Sequence, residues 1–237
     1  MKKLLTLCLA AAAATGSQAV VLFDNGAAAS GTPPVSVIRP GGTLFGAGAQ
    51  ASIPNIVADD FSVTGPGWNV ESLTFYGYQS FAGSAFTFTG ATWSIVSGDV
   101  NAGTVVASGT STITHGGLVG YRVTPTTLTN TDRAIFAVQA DVPDFNLGPG
   151  SYWLRWGLTG TLASGPWQPP TADGAVGNAA QSLANAAFAT LVDAGDGLGV
   201  ELPFTIQGSL VPEPSTYAML LAGAAAVLSI TRRRRRG

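Results

Sequence analysis

Cysteine is all but missing from this 237-residue chain. Cys8 is the only one, so no disulfide framework and no thiolate metal site can be built. Histidine is equally scarce. His115 stands alone in Thr114-His115-Gly116-Gly117, which reads as a turn. No Gly-x-Ser-x-Gly elbow surrounds any serine that could partner it, so a histidine-based triad has no support and His115 reads as an exposed loop residue. Charge is only 10% of the composition, and lysine is confined to Lys2 and Lys3. Between residues 20 and 211, four arginines (Arg39, Arg122, Arg133, Arg155) face twelve carboxylates, a net charge of −8. A body without clustered cations does not neutralise phosphates, which argues against nucleic acid as a partner. Low charge does not mean disorder here, because 46% hydrophobic residues are enough to form a core.

Carboxylates remain as candidate chemistry. Glycoside hydrolysis needs two, about 5 to 10 Å apart. The body holds only Glu71 and Glu201 as glutamates, and its ten aspartates lie mostly beside Gly, Pro or Asn, where Asp serves turns. Asp59 and Asp60 are adjacent, so on a strand they face opposite sides and make a poor acid–base pair. Asp193-x-x-Asp196-Gly197 and Asp141-x-x-Asp144 could offer oxygens to Ca²⁺, but neither has the alternating ligand pattern of an EF-hand loop. The expectation is no catalytic residue, no metal and no cofactor.

Both ends of the chain read as addresses. Lys2 and Lys3, the apolar stretch Leu4 to Ala14, and Ser17-Gln18-Ala19 form a secretory signal peptide over residues 1–19, cleaved between Ala19 and Val20. Eleven apolar residues are too few to span a bilayer. Cleavage there would remove Cys8. At the other end, Val211-Pro212-Glu213-Pro214-Ser215 precedes Tyr217 to Ile230, apolar but for Ser229, and then Thr231 and the run Arg232, Arg233, Arg234, Arg235 and Arg236. A fourteen-residue helix is about 21 Å long, short of a hydrocarbon core of roughly 30 Å. Snorkelling arginines and an extension through Ser215 and Thr216 close the gap, giving a transmembrane helix over 215–231. The arginines belong on the cytoplasmic side, which leaves the body outside. A buried core helix with a solvated basic tail is the plainer alternative. A basic run placed directly after an apolar terminal helix favours the membrane.

The segment 211–237 resembles the PEP-CTERM sorting signal: the motif Pro212-Glu213-Pro214, a short apolar helix and a terminal arginine cluster, in that order. The resemblance implies a Gram-negative envelope protein. It also implies processing near the Pro-Glu-Pro motif by an exosortase, a membrane-embedded cysteine protease-transpeptidase, and association with extracellular polysaccharide or biofilm matrix. The route it implies runs through the inner membrane to the cell surface or matrix.

The body, 20–210, carries the punctuation of an all-β domain, with Gly, Pro, Asn and Asp at short intervals and Thr, Val and aromatics between them. Leu73 to Tyr78 alternates, with Leu73 and Phe75 on one face and Thr74, Tyr76 and Tyr78 on the other. Further strands are expected at Phe86–Thr89, Ala91–Val96, Gly103–Ala107, Leu118–Val123, Ala134–Ala140, Tyr152–Leu158 and Pro203–Leu210. Many short strands predict a β-sandwich, jelly-roll-like. The Ala-rich stretch Asn178 to Leu191 suits a helix by propensity, yet Phe188 to Val192 fits a strand. The body is also similar to exported sandwich domains often joined to such tails, through Asp59-Asp60-Phe61, Leu73 to Gln79, Gly150 to Leu154 and Leu202-Pro203-Phe204. That similarity implies strand from about Ala187.

Aromatics supply the binding candidates. Tyr152 and Trp156 read as core, sharing a strand face with Leu154. Trp153, Trp167 and Tyr78 are the nominees for stacking on a sugar ring. The reading is therefore an exported, non-enzymatic envelope or matrix protein. A carbohydrate-binding module for matrix polysaccharide is the alternative, and a carboxylate-dependent enzyme acting on that polysaccharide ranks behind it.

Overall fold

The protein is described by a computed structural model over residues 19–212. Residues 1–18 of the expected signal peptide, Glu213, Pro214, the expected helix 215–231 and Arg232 to Arg236 lie outside the described residues. Fourteen strands follow in chain order: β1 Val20–Asp24, β2 Val35–Val37, β3 Ala47–Gly48, β4 Ile56–Val63, β5 Trp68–Gly77, β6 Phe88–Ser97, β7 Thr104–Ser111, β8 Ile113–Val123, β9 Ala134–Leu147, β10 Gly150–Gly160, β11 Trp167–Gln168, β12 Ala180–Ser182, β13 Ala189–Thr190 and β14 Phe204–Leu210. The all-β expectation holds for the described residues, none of which is helical.

Two six-stranded sheets face each other. One runs β1-β14-β5-β9-β8-β2 and the other β13-β12-β4-β10-β6-β7; β3 and β11 form a small separate pair. Alternation explains what each strand buries. Along β10, Tyr152, Leu154 and Trp156 point into the core while Trp153 and Arg155 stay half-buried on the outside. Leu73 and Phe75 of β5, Phe136 and Val138 of β9, and Phe204 and Ile206 of β14 meet Phe61 of β4, Trp93 and Ile95 of β6, and Leu154 and Trp156. Phe75 stacks on Trp156 across the interface at 5.5 Å between centroids, and Trp93 stacks on Phe145 at 5.6 Å. Both buried indoles keep a hydrogen bond: Trp93 Nε1 donates to Ser111 Oγ at 3.0 Å and Trp156 Nε1 to Gln168 Oε1 at 3.1 Å. A buried N–H without an acceptor would cost about 1–3 kcal/mol.

Three local expectations are corrected. Thr74 and Tyr78, placed on the face opposite Leu73 and Phe75, are both buried, and Tyr78, a nominee for stacking on a sugar ring, is covered where it pairs with Trp167. His115 lies within β8 rather than in a turn. The two glycines after it make a bulge, with the β8–β9 register shifting between His115 and Leu118. Gly117 sits at φ +114, and a Cβ on Gly116 would fall 2.9 Å from Ala137. The Ala-rich stretch is a β-hairpin of β12 and β13, so strand begins at Ala180, earlier than Ala187.

The ends of the domain lie together. Val20 pairs with Gly208 in the β1–β14 ladder. Leu210, the last residue of β14, pairs with Trp68 at the start of β5. Both termini of the described domain therefore sit at one end of one sheet. Gly77, Ser80 and Arg133 lie at the opposite end, roughly 30 Å away along a ten-residue strand.

Candidate functional site

Two clefts and two polar clusters are the candidate sites. The first cleft is at the end opposite Leu210. It encloses about 190 Å³ between Phe45, Gly46, Tyr78, Ser80, Arg133, Ser164 and Trp167. Two of the three nominated aromatics, Tyr78 and Trp167, meet here, each donating its backbone N–H to the other's carbonyl at 2.9 Å. Trp167 is half-buried, and its Nε1 donates to Ser164 Oγ at 3.2 Å. Tyr78 is only 2% exposed, so it forms the cleft wall instead of a free stacking platform. Burial pushes its phenol up to about 12. Arg133 lies over the Phe45 ring at 4.1 Å.

The third nominee is elsewhere. Trp153 sits on the outer face of the second sheet, paired with Asp60 and Val96. It does not line a cleft, but Arg155, two residues on, lines the larger one. That cleft encloses about 300 Å³. Its floor is Thr92, Ser94 and Arg155, and its wall is the β12–β13 turn with Ser182, Asn185, Ala186 and Phe188. The Arg155 guanidinium lies 5.1 Å from the Phe188 ring centroid and donates through Nη2 to the Val100 carbonyl. Arg155 Nε is buried without a partner among the described residues. Sequence reasoning missed this cleft, because its wall is a hairpin that the Ala-rich composition hid.

The carboxylates pair in an unexpected way. Asp59 faces away from Asp60, as alternation requires, and meets Glu201 instead. The Asn25 side-chain amide donates to Asp59 Oδ2 and Glu201 Oε2, both at 3.1 Å, and to the Leu202 carbonyl at 3.0 Å. Leu202 N–H donates to Asp59 Oδ2 at 2.7 Å. Asp59 is fully buried. Burial first, and then the charge of Glu201, push its carboxyl up to about 8. Such a raised carboxyl is what a general acid needs, but this one has no exposed surface through which a substrate could take its proton.

The aspartates considered for Ca²⁺ have other partners. Asp193 accepts from the backbone N–H groups of Thr43 (2.7 Å), Gly195 (2.9 Å) and Leu44 (3.1 Å), and from Thr43 Oγ1. Those donors lower its pKa against an opposing burial effect. Asp196 forms a bidentate ion pair with Arg39. Asp141 and Asp144 are exposed on β9. Among the described residues no three His, Cys, Asp or Glu side chains converge as a metal site. Arg122 is buried nearby and spends its donors on Ser36 Oγ and the carbonyls of Val37, Leu44 and Phe45. His115 is exposed, its ring edge-on to Phe86 at 4.6 Å.

Geometry thus defines an all-β domain whose two ends emerge side by side, with clefts elsewhere on its surface. The segment after the last strand gives the class. Residues 210–236 match the PEP-CTERM protein-sorting motif, and the match starts at Leu210, the final residue of β14. The chain thus carries a PEP-CTERM sorting signal, which supports an exosortase-targeted envelope protein. No curated protein matches the chain.

Proposed function

We propose that this is a non-enzymatic protein of the cell surface or extracellular matrix. Its body is exported behind a signal peptide, held for a time at the inner membrane by helix 215–231 with Arg232 to Arg236 inside, and released when an exosortase acts at Pro212-Glu213-Pro214. The carrying observation is the sorting motif beginning where the domain ends. Pro212 is exposed, and Val211 N–H donates to the Gly67 carbonyl at 3.0 Å. Pro212, the first residue of the motif, is therefore accessible. Residues before a proline favour extended backbone, the form a protease engages.

The strand order supports reading the domain as a jelly-roll-like sandwich. Within the two six-stranded sheets, the sets β1-β14-β5-β9 and β4-β10-β6-β7 fit the two four-stranded sheets of that topology. Association with exopolysaccharide is part of the proposal, and a saccharide-binding role is the second reading. It is favoured by the meeting of Tyr78 and Trp167 in a cleft at the end of the domain opposite Leu210.

The test of the sorting reading is fractionation in the native host with mass spectrometry of the C-terminus. Replacing Pro212, Glu213 and Pro214 with alanine should leave the protein anchored and untrimmed, accumulating in the inner membrane. Neutralising Arg232 to Arg236 should instead loosen retention, because a short helix depends on its flanking charges. If the alanine variant is trimmed and released like the wild type, the tail is a membrane anchor and no more.

A further inference from the structure

The four arginines of the body are used unequally. Arg39 pairs with Asp196 and Arg122 is saturated by oxygens of the protein. Arg133 covers the Phe45 ring. Arg155 alone stands in the 300 Å³ cleft, without a carboxylate in hydrogen-bond contact among the described residues. Its position is fixed from two sides, by the Val100 carbonyl on Nη2 and by the Phe188 ring. Phe188 is fixed in turn: its N–H donates to Asn101 Oδ1 at 2.7 Å, and its carbonyl accepts from Asn101 Nδ2 at 3.0 Å.

The cleft wall is held as firmly. Ala186 N–H donates to the Leu183 carbonyl at 3.0 Å across a turn whose central residues, Ala184 and Asn185, have φ of 50° and 64°. Both positive values match a primed turn, in which Asn is at ease and Ala is not. The turn is tied down by Asn185 N–H to the Pro54 carbonyl at 3.2 Å, Ala184 N–H to Asn55 Oδ1 at 3.1 Å, and Ser182 Oγ to the Ala186 carbonyl at 2.6 Å. Those bonds use backbone and neighbouring side chains, which leaves the Asn185 amide at the cleft mouth. Ser94 Oγ is likewise without a hydrogen bond among the described residues. A cation, an amide, a hydroxyl and an aromatic ring thus line one space large enough for a sugar ring.

We propose that this cleft binds a carboxylate-bearing saccharide, a uronic acid unit of an acidic polysaccharide. Its carboxylate pairs with Arg155, its ring hydroxyls meet Ser94 and Asn185, and its apolar edge lies along Phe188. An arginine–carboxylate pair is charge-assisted and orienting. The hydroxyl and amide partners select a polyhydroxylated ring over a simple acid. Nothing in this depends on the sorting tail, so either reading can fail without the other.

The experiment is titration calorimetry on the full chain in detergent, with oligogalacturonate as the probe and its methyl-esterified form as the uncharged twin. Oligogalacturonate should bind, and esterification or Arg155→Gln should weaken binding about tenfold or more. Asn185→Gly, which removes the amide and is at ease at the positive φ of this exposed turn, should weaken it about threefold with an unchanged melting temperature, which keeps the test valid if Arg155→Gln unfolds. Trp167→Ala, in the other cleft, should leave it unchanged. Absence of binding, equal binding of acid and ester, or loss of binding in Trp167→Ala with none in Asn185→Gly would overturn the proposal. So would an oligoglutamate peptide binding as tightly as oligogalacturonate, since the site would then read charge alone.

Discussion

Asp59 shows how a single residue gains its character from partners far away in sequence. Nothing around Asp59-Asp60 announces Glu201 or Asn25, which fold back onto it from 142 and 34 positions away. The alternation of a strand was enough to separate Asp59 from Asp60 but not to find the true neighbour. The consequence is a pH dependence of definite sign. Asp59 titrates near 8 in the folded protein, against an ordinary carboxyl value near 3.8. Between those values the folded state holds a proton that the unfolded chain has released, so this group's contribution to stability falls as pH rises from about 4 to about 8. Asp59→Asn removes that titration. Urea midpoints followed by tryptophan fluorescence at pH 5, 6.5 and 8 should decline more steeply for wild type than for the variant. Parallel declines would show that Asp59 does not carry the proton.

Individual strands were legible wherever alternation met bulky side chains. Tyr152 to Leu158 and Ala91 to Val96 are found within β10 and β6, and Tyr152, Leu154 and Trp156 share the buried face expected of them. What misled was glycine and alanine. Gly116-Gly117 resembles a turn, yet it lets β8 bulge against β9. The alanines around residue 180 favour a helix in isolation, but β4 offers them ladder hydrogen bonds through Ala58 and Val57. Glycine also sets a hard limit in β14. A Cβ on Gly208 would stand 2.0 Å from the Asn69 carbonyl oxygen, which is backbone of β5 and cannot step aside. Gly208→Ala should therefore destabilise the domain by about 2 kcal/mol or more. Ser209→Ala beside it, which loses only the bond from Ser209 Oγ to Glu71 Oε1, should cost less than about 1.5 kcal/mol. Equal losses in chemical denaturation would mean that β14 shifts to accommodate the methyl group.

At the scale of the molecule, the tail was the most readable part of the sequence, because a sorting signal must be recognised as linear chain. The clefts were the least readable, since each joins loops distant in sequence. Trp167 and Tyr78 share a wall, whereas Trp153 was nominated on equal grounds and lines neither of the two clefts. The other address touches the fold directly. Val20, the residue after the expected cleavage point, is the first of β1. N-terminal sequencing of exported protein should begin there, and a product retaining residues 1–19 would remove the signal-peptide reading. The pairing of Val20 with Gly208 also orders events in time. These partners are 188 positions apart in the chain, so a molecule threaded outward from its N-terminus delivers β1 first and the strand that completes it last. Contacts of such long separation form late and slowly. On the proposed route, the first sheet stays open at the edge of β5 until β14 has crossed, and the final ladder would close while the segment just behind it is still entering the membrane.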